Sequence, residues 1–579
     1  MKPMTTAMPM MTPPPSGPPG RLGQSPLLLA LLGGALLWAG WPVHPVPLTL
    51  LLFVGWVPYL RLEQLLTRQG ARRGRVFAGT YLFLFFWNAF TTWWVSYSTL
   101  GGGIAAVVLN AALMCLPLMA FRRTKERFGN KIGYLSLPVY WIAFEQLHLH
   151  WDLSWPWLTL GNGFASAPEW VQWYEYTGFL GGSVWVLAVN LLVFWGIKNY
   201  ELKIKIDADV DRSNASISRQ PTRSFLILNL KFLIPTLAVG LPIGASYLIG
   251  HNYQEKGSPL EVVVVQPNVD PYNEKFPENP RFIPYNEQLT RLLQRTEASI
   301  TPQTRLVLWP ETSLEEALFE TTFSQSPPAM RIRQELLARH PGLSLLVGIT
   351  SLGTYPDAAH ASPTAHHRDD VGYYDVFNAA AFFADATAPP QFYHKSKLVP
   401  GVEKIPPILS KLLSNIDLGG IVGSYGSQDE RTVFPAPAAA PGLRLAPLIC
   451  YESIYGDFVA EYVHNGATLL GLITNDGWWS DSPGFRQHLR YGALRCIETR
   501  RDLARSANTG ISAFIDQRGI ISHATGWWVG AASRATVHLN AEQTFYVRYG
   551  ELIGRGAQIL AVLGLLAVLT AAVLGRKQP

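Results

Sequence analysis

The chain has 579 residues, of which 48% are hydrophobic and 15% are charged, and its formal net charge is +6. This apolar composition excludes a wholly soluble globular protein, so part of the chain is expected to lie in lipid. The positive charge does not indicate nucleic-acid binding, because the basic residues of the first half stand in short clusters between apolar runs.

Residues 1–25 are rich in Met, Pro, Thr and Gly and contain no apolar run, which predicts a disordered N-terminal tail. No cleavable signal peptide is expected, so the first apolar segment is predicted to be an uncleaved anchor. The three cysteines are Cys115, Cys450 and Cys496, and they imply no disulfide framework. Cys115 and Cys496 are expected to be packing residues, since free cysteines are commonly buried.

Eight apolar stretches predict about eight transmembrane helices arranged as a bundle. A helix of about 20 residues crosses about 30 Å of hydrocarbon with its backbone polar groups bonded internally. The stretches are 26–41, 46–60, 78–96, 102–121, 132–148, 178–198, 227–250 and 556–575. We therefore predict a membrane domain over 26–250, and a final helix with a cytoplasmic tail over 556–579.

The orientation of the helices follows from the Lys and Arg residues of the connecting loops, because positive charge resists translocation. The loops 61–75, 122–131 and 198–223 hold five, five and six basic residues, whereas the intervening loops hold none. This asymmetry places both termini in the cytoplasm and the stretch 251–555 outside it.

The stretch 251–555 is predicted to be an α/β layered domain, because short β-branched runs alternate with helical patterns. The predicted strands are 261–266, 305–309, 344–350, 378–383, 443–450, 467–474 and 511–516, and the predicted helices are 285–299, 329–339 and 487–499. The stretches 355–371 and 433–442 are expected to be surface loops. The first contains His360, His366 and His367, but it lacks ligand spacing and predicts no metal site.

Three segments carry reactive side chains: Glu311 follows RLVLWP, Lys395 lies in YHKSKLVPGVE, and Cys450 ends RLAPLIC. The segments QPNVDPYNEKF, LVLWPETS, YHKSKLVPGVE, LICYES and ITNDGWW, in this order, resemble the carbon-nitrogen hydrolase (nitrilase) superfamily. With the flanking helices and the segment WPWLTLGNGFA at 155–165, the chain resembles the apolipoprotein N-acyltransferase family from about residue 26 onward. The resemblance implies a nitrilase-like α-β-β-α sandwich for the catalytic domain.

The resemblance also implies a catalytic triad. Cys450 is the nucleophile, Glu311 is the general base, and Lys395 stabilises the oxyanion. These roles meet the needs of acyl transfer through a covalent intermediate, since a free thiol is only a few per cent thiolate at neutral pH and requires a base.

Five further residues are carried over from the family pattern as supporting or substrate-binding residues. They are Glu403, Tyr451, Glu452, Asn475 and Trp478. Glu403 and Glu452 are expected to orient Lys395 and shape the site, and Trp478 is expected to line the substrate cleft. No cofactor is implied.

The function implied is transfer of a fatty acyl chain from a membrane phospholipid to the N-terminal amine of a diacylglyceryl-modified apolipoprotein. The implied location is the bacterial inner membrane, with a periplasmic catalytic domain. Two alternatives stay open: a membrane-tethered amidase or nitrilase that uses water as acceptor, and a non-catalytic transporter or scaffold. Few ionisable residues lie within the apolar stretches, which disfavours the transporter.

An apolar stripe follows Glu403 at helical spacing over 405–418 and predicts an amphipathic helix. The stripe either packs on the core of the domain or forms an arm that contacts the bilayer beside the site, and the sequence leaves both open.

Overall fold

The computed structural model of the chain describes residues 25–213, 222–404, 425–435 and 437–575. The predicted N-terminal tail, apart from Ser25, and the predicted arm at 405–418 lie outside the described residues. The described residues cover the connections between the membrane helices except 214–221, and most of the layered domain; these two parts together form the site.

Helices occupy all eight apolar stretches. Those before the layered domain are α1 (Pro26–Ala39), α2 (Val57–Arg68), α3 (Arg73–Thr92), α4 (Leu100–Ile104), α5 (Asn110–His148), α6 (Tyr174–Thr177), α7 (Leu180–Ser213) and α8 (Thr222–Asn252). Within the described residues, five segments are long and apolar enough to cross a membrane: Val46–Arg68, Leu100–His148, Leu180–Glu201, Leu233–Asn252 and Leu552–Leu574. The count of about eight crossings stays a prediction.

The segment Leu100–His148 contains a reversal of the chain at Gly129. This glycine has φ 82° and ψ 175°, which are not helical values. The hydroxyls of Thr124 and Tyr140 are 2.9 Å apart, whereas 16 residues of straight helix would separate them by about 24 Å. Two antiparallel helical segments therefore lie here, as the separate apolar stretches 102–121 and 132–148 predict.

The layered domain contains twelve strands among the described residues. They are β1 (Ser258–Gln266), β2 (Thr304–Phe319), β3 (Ser344–Tyr355), β4 (His366–Arg368), β5 (Gly372–Phe383), β6 (Gln391–His394), β7 (Leu445–Ile449), β8 (Leu469–Thr474), β9 (Leu503–Ala507), β10 (Ala513–Ile515), β11 (Ile521–Ser522) and β12 (Ala531–Leu539). One sheet has the order β12-β1-β2-β3-β5-β4, with β6 paired to β5, and the other has the order β11-β10-β9-β8-β7. The strand β4 lies within the stretch 355–371, which the sequence predicts as a loop only.

The two sheets pack face to face between helices. Along β1, Val262 and Val264 point to the core shared with the second sheet, whereas Val263 and Val265 point to the opposite core. This alternation is the two-residue period of a strand buried on both faces. A Cβ added at Gly471 would lie 3.3 Å from the side chain of Leu346 in the other sheet, so the sheets are in close contact there.

Helices cover both outer faces of the sheets. The helices α9 (Tyr285–Glu297) and α10 (Pro327–Arg331) cover the first sheet, and α11 (Gly456–His464) and α12 (Pro483–Thr499) cover the second. Two helices follow the last strand, α13 (Phe545–Tyr549) and α14 (Leu552–Gly575). The layers are α-β-β-α, which confirms the predicted fold class of the catalytic domain.

Helix α12 of the layered domain is hydrogen-bonded to residues of the membrane part. Its residue Gln487 accepts a hydrogen bond at 2.6 Å from the indole of Trp157, and Tyr491 accepts one at 3.0 Å from the indole of Trp41. Tyr491 also donates to the carbonyl of Trp157 at 3.0 Å. The segment around Trp157 is thus fixed against the second sheet, next to the end of β7 where Cys450 lies.

Candidate active site

Cys450 lies at the carboxyl end of β7 and opens a 3-10 turn, Cys450–Ile454. Its φ is 49°, in the left-handed region that non-glycine residues rarely adopt. Such a conformation costs on the order of 1 kcal/mol or more and persists only where the surroundings hold it. The sharp turn directs the thiol toward the carboxyl edge of the second sheet, and its side chain is almost fully buried.

Glu311 lies on β2 at the point where the strand leaves its regular pairing with β3. Its Oε1 accepts hydrogen bonds from Lys395 Nζ at 2.9 Å and from Asn378 Nδ2 at 2.8 Å, and its Oε2 accepts from the backbone N–H of Asn475 at 3.0 Å. A Cβ on Gly348 of β3 would lie 2.6 Å from the Cα of Glu311, so only glycine fits opposite this carboxylate.

Lys395 follows β6 and is buried between two carboxylates. Its Nζ donates to Glu311 Oε1 at 2.9 Å and to Glu403 Oε1 at 2.8 Å. Asn378 of β5 donates to the same two oxygens at 2.8 Å each. The amide therefore bridges the two acids and holds them around the ammonium.

The charges of these groups are fixed by their neighbours. Burial raises the pKa of Glu311, but the Lys395 ammonium and the Asn378 amide together lower it by more. The pKa of Glu311 is therefore below its ordinary value. Burial lowers the pKa of Lys395, but Glu311 and Glu403 raise it well above the ordinary value. Burial, followed by the Glu311 carboxylate, raises the pKa of Cys450 well above that of a free thiol. The resting site holds a carboxylate, an ammonium and a protonated thiol.

Glu452 connects the nucleophile turn to the loop that carries Lys395. Its Oε2 accepts from the backbone N–H of Ile449 at 2.8 Å, and its Oε1 accepts from the N–H of Ser396 at 2.7 Å and the hydroxyl of Tyr393 at 2.5 Å. Burial raises the pKa of this carboxyl to about 7. Glu452 thus fixes the spacing of Cys450 and Lys395 without facing the cavity.

A buried imidazole holds the carbonyl of Cys450. His488 Nε2 lies 3.0 Å from this carbonyl oxygen, and Nδ1 lies 3.0 Å from Asp476 Oδ1. Asp476 also pairs with Arg505 at 2.7 Å, and Arg505 together with His488 lowers the pKa of Asp476 to about 2 although burial raises it. Sequence reasoning names neither His488 nor Asn378 as a site residue, since one lies in a predicted helix and the other begins a predicted strand.

The other expected supporting residues line the same cavity as Glu311, Lys395, Glu403 and Cys450. The ring of Tyr451 stacks on Trp155 with centroids 5.9 Å apart, and the Tyr451 hydroxyl donates to the carbonyl of Ser154 at 3.2 Å. The side-chain oxygen of Asn475 accepts from Asn508 at 3.1 Å. The ring of Trp478 lies edge-on to Tyr272, with centroids 5.4 Å apart.

This cavity has a volume of about 500 Å³ and is shared between the layered domain and the membrane helices. The reactive groups form one wall. The opposite wall comes from the connections after α3 and α5, and its indoles are Trp94, Trp155 and Trp157. Trp94 and Trp157 pack 4.8 Å apart, and Trp479 of the layered domain lies 5.0 Å from Trp94. Apolar surface from the membrane part therefore reaches the thiol.

Comparisons with known proteins agree with this architecture. Residues 33–192 match the apolipoprotein N-acyltransferase N-terminal domain, and residues 264–545 match the carbon-nitrogen hydrolase domain. A protein of Chlorobaculum tepidum named apolipoprotein N-acyltransferase is 31% identical over 565 residues, which cover 95% of this chain and 97% of that protein. The chain belongs to the apolipoprotein N-acyltransferase family. A second apolipoprotein N-acyltransferase, from Geobacter metallireducens, is 26% identical over 475 residues and covers 81% of each chain.

Among solved structures, an amidase from Nesterenkonia sp. AN1 is 14% identical with a TM-score of 0.33, covering 51% of this chain and 99% of the amidase.

Membership of the apolipoprotein N-acyltransferase family confirms the resemblance that the ordered motifs indicate. It also confirms an acyltransferase enzyme and, with the apolar helices, a bacterial membrane protein.

Proposed function

We propose that the protein transfers a fatty acyl chain from a membrane phospholipid, through a thioester on Cys450, to the N-terminal amine of a diacylglyceryl-modified apolipoprotein. The observation that carries this proposal is the shared cavity of about 500 Å³, in which Cys450 faces walls from both parts of the chain. A water-soluble amide or nitrile would need no wall of indoles from the membrane helices, whereas a lipid ester enters from the bilayer.

In the first half-reaction, Cys450 attacks the ester carbonyl of the phospholipid while Glu311 takes the thiol proton. Two of the three Nζ–H groups of Lys395 are bonded to carboxylates, which leaves the third for the developing oxyanion. The bond to the glycerol oxygen breaks, Glu311 returns the proton to that oxygen, and lysophospholipid leaves. The products are the thioester and a lysolipid.

In the second half-reaction, the amine of the apolipoprotein attacks the thioester carbonyl. Glu311 takes a proton from the amine, the carbon–sulfur bond breaks, and the proton returns to the sulfur of Cys450. An amide forms and the resting thiol is restored.

We further propose that the enzyme lies in the inner membrane with both termini in the cytoplasm and residues 251–555 in the periplasm. Helix α3 supports this orientation, because it begins in the Arg-rich loop and ends beside Trp94 of the cavity. The division into a tail (1–25), a membrane domain (26–250), a catalytic domain (251–555) and a final helix (556–579) is part of the same proposal.

Incubation of the purified full-length protein with acyl-labelled phospholipid and a lipopeptide tests the proposal. We expect label first on Cys450, as a thioester detected by mass spectrometry, and then on the lipopeptide amine. Release of free fatty acid without transfer would indicate the amidase-type hydrolase, and no label on the protein would indicate a scaffold. The variant Cys496→Ala is the matched control, because Cys496 is a buried cysteine outside the cavity.

A further inference from the structure

A second cavity, of about 620 Å³, lies where the layered domain meets the ends of two membrane helices. Its walls come from the end of α5 and the residues after it, from helix α11, and from the segment 547–558 that contains the start of α14. It shares no lining residue with the triad cavity among the described residues. The two cavities are therefore separate spaces, and a group bound in the second one does not contact the triad.

Four cationic side chains line this second cavity: Lys397, Arg431, Arg548 and Arg555. Arg431 pairs with Glu461 at 3.2 Å. The other three have no carboxylate of the described residues within 4.0 Å. The Nζ of Lys397 donates to the carbonyl of Leu149 at 3.3 Å, and Arg555 donates to two backbone carbonyls. Within the part of the chain that the structure describes, none of these three cations forms an ion pair.

The acidic residues of this cavity offset only part of the charge of its four cations, because Asp457 acts on Lys397 through space while no carboxylate of the described residues pairs with Arg548 or Arg555. Asp457 lies 2.9 Å from His150, and Glu461 is the partner of Arg431. Glu551 is almost fully buried, and burial raises its pKa to about 8, so it is mostly uncharged at neutral pH. The cavity keeps an excess of positive charge and suits an anionic ligand.

The position of the cavity indicates a lipid rather than a free anion. The membrane-spanning segment of α5 ends at His148 and that of α14 begins at Leu552, so the cavity lies at the boundary between water and hydrocarbon. Beginning one turn after Arg555, helix α14 has apolar side chains with more than half of their surface exposed, namely Ile559, Leu560 and Leu563. The cations suit the phosphate headgroup of a phospholipid, and the exposed apolar side chains suit its acyl chains.

We propose that this cavity binds the phosphodiester headgroup of an anionic phospholipid, with the acyl chains along α14, as a retained lipid that is not the acyl donor. Lys397 lies two residues after Lys395, in the same loop. A lipid phosphate held at Lys397 therefore fixes this loop from the side opposite the triad. The binding itself does not depend on the chemistry proposed for Cys450.

Native mass spectrometry of the detergent-solubilised full-length protein, with phosphatidylglycerol or phosphatidylcholine added, tests the proposal. We expect one phosphatidylglycerol to be retained under conditions that remove phosphatidylcholine. The double variant Lys397→Met/Arg548→Gln should lower this retention about fivefold for each cation removed. The control Arg339→Gln removes an exposed cation that lines neither cavity and should retain the lipid as the wild type does.

Equal retention by the double variant and the wild type would overturn the proposal. Displacement of the lipid by millimolar inorganic phosphate would also overturn it, because a free anion would then be the ligand. If the double variant has a lowered melting temperature, lipid retention is measured for Arg555→Gln instead. Its side chain is exposed and donates to backbone carbonyls, so the substitution should not disturb folding. Reduced retention would support the proposal and unchanged retention would overturn it.

Discussion

The thiol of Cys450 has little nucleophilic character of its own, because burial and the Glu311 carboxylate keep it protonated. In the proposed mechanism, attack by Cys450 therefore depends on removal of its proton during the reaction rather than on a stored thiolate. The left-handed backbone of Cys450 and the hydrogen bond from His488 to its carbonyl hold the side chain for that step.

The first prediction concerns the nucleophile itself. Cys450→Ala should abolish the acyl-enzyme while the protein still inserts and folds, and Cys450→Ser should be nearly as inactive, since a serine hydroxyl is a weaker nucleophile in the same site. Mass spectrometry of the labelled protein and circular dichroism measure the two properties. More than a few per cent of wild-type transfer in Cys450→Ala would exclude the thioester route.

A second prediction separates Glu311 from Lys395 by the alkylation rate of Cys450 at fixed alkaline pH. The Glu311 carboxylate raises the pKa of the thiol and the Lys395 ammonium lowers it. Glu311→Gln should therefore speed alkylation, and Lys395→Met should slow it. Peptide mapping after timed iodoacetamide treatment measures both rates, and shifts in the same direction would contradict the assigned charges.

Acyl transfer should fall in both of these variants, by 10²-fold or more for Glu311→Gln through loss of the base. Lys395→Met should cost on the order of 3 kcal/mol of transition-state stabilisation. A Glu311→Gln variant that alkylates faster yet transfers normally would show that the carboxylate is not the base.

Among single residues, the sequence predicts those site residues that lie in a short, recognisable sequence motif. Glu311 lies within β2, Lys395 and Cys450 directly follow β6 and β7, and the structure brings all three to one cavity. The sequence does not predict Asn378 and His488 as site residues, because their roles depend on contacts with segments that are distant in the sequence. Asn378 bridges two acids from distant segments, and His488 reaches a carbonyl on another element.

Among the elements, the turn that begins at Cys450 and the loop that carries Lys395 are held together because the backbone next to each donates a hydrogen bond to Glu452. Glu452→Gln should lower the melting temperature by the equivalent of about 1–3 kcal/mol, since an amide –NH₂ would replace an oxygen that accepts an N–H. Acyl-enzyme formation should slow as well, because the distance between Cys450 and Lys395 is then less fixed. Scanning calorimetry and labelling measure the two effects.

The same variant tests the pH dependence of stability. Because the folded pKa of Glu452, about 7, lies above the ordinary 4.5, its contribution to stability is complete below pH 4.5 and is lost as pH rises through 7. The melting temperature of the wild type should therefore fall more between pH 4.5 and pH 7 than that of Glu452→Gln. Parallel curves would show that this carboxyl titrates as it does in the unfolded chain.

Close packing between β2 and β3 gives another prediction. Gly348→Ala would place a Cβ 2.4 Å from the carbonyl oxygen of Pro310, which displaces Glu311 and should lower acylation at least tenfold. Gly353→Ala on the same strand is the control, because its Cβ meets only the ring of Phe377. Equal activity of the two variants would mean that β3 shifts freely.

The predictable elements are those with apolar patterns. The run EVVVVQ corresponds to β1 and SLLVGIT to β3, because strands buried on both faces are uniformly apolar. Strand β9 was missed, since its sequence LARSA contains Arg505, which is buried only because Asp476 pairs with it. Strand β12 is not predicted because only Val537 and Leu539 are buried and its remaining residues are small or polar.

At the scale of the whole molecule, the basic loops 61–75 and 122–131 lie at the end of α3 opposite to the triad cavity. Reporter fusions at residues 70 and 300 should therefore read opposite sides of the membrane, with residue 70 in the cytoplasm. A fusion at residue 126 is the control and should agree with residue 70. Residues 70 and 300 on the same side would refute the orientation and the count of eight crossings.

The pairing of β1 with β12 determines when the catalytic domain is able to fold. Ser258 pairs with Leu539 and Gln266 with Ala531, so the edge of the first sheet is built from the first and last strands of the domain. During synthesis, β1 leaves the ribosome long before its partner does, and its other neighbours alone leave one edge unpaired. The first sheet therefore reaches its full width only after translation has passed β12, shortly before the last membrane helix.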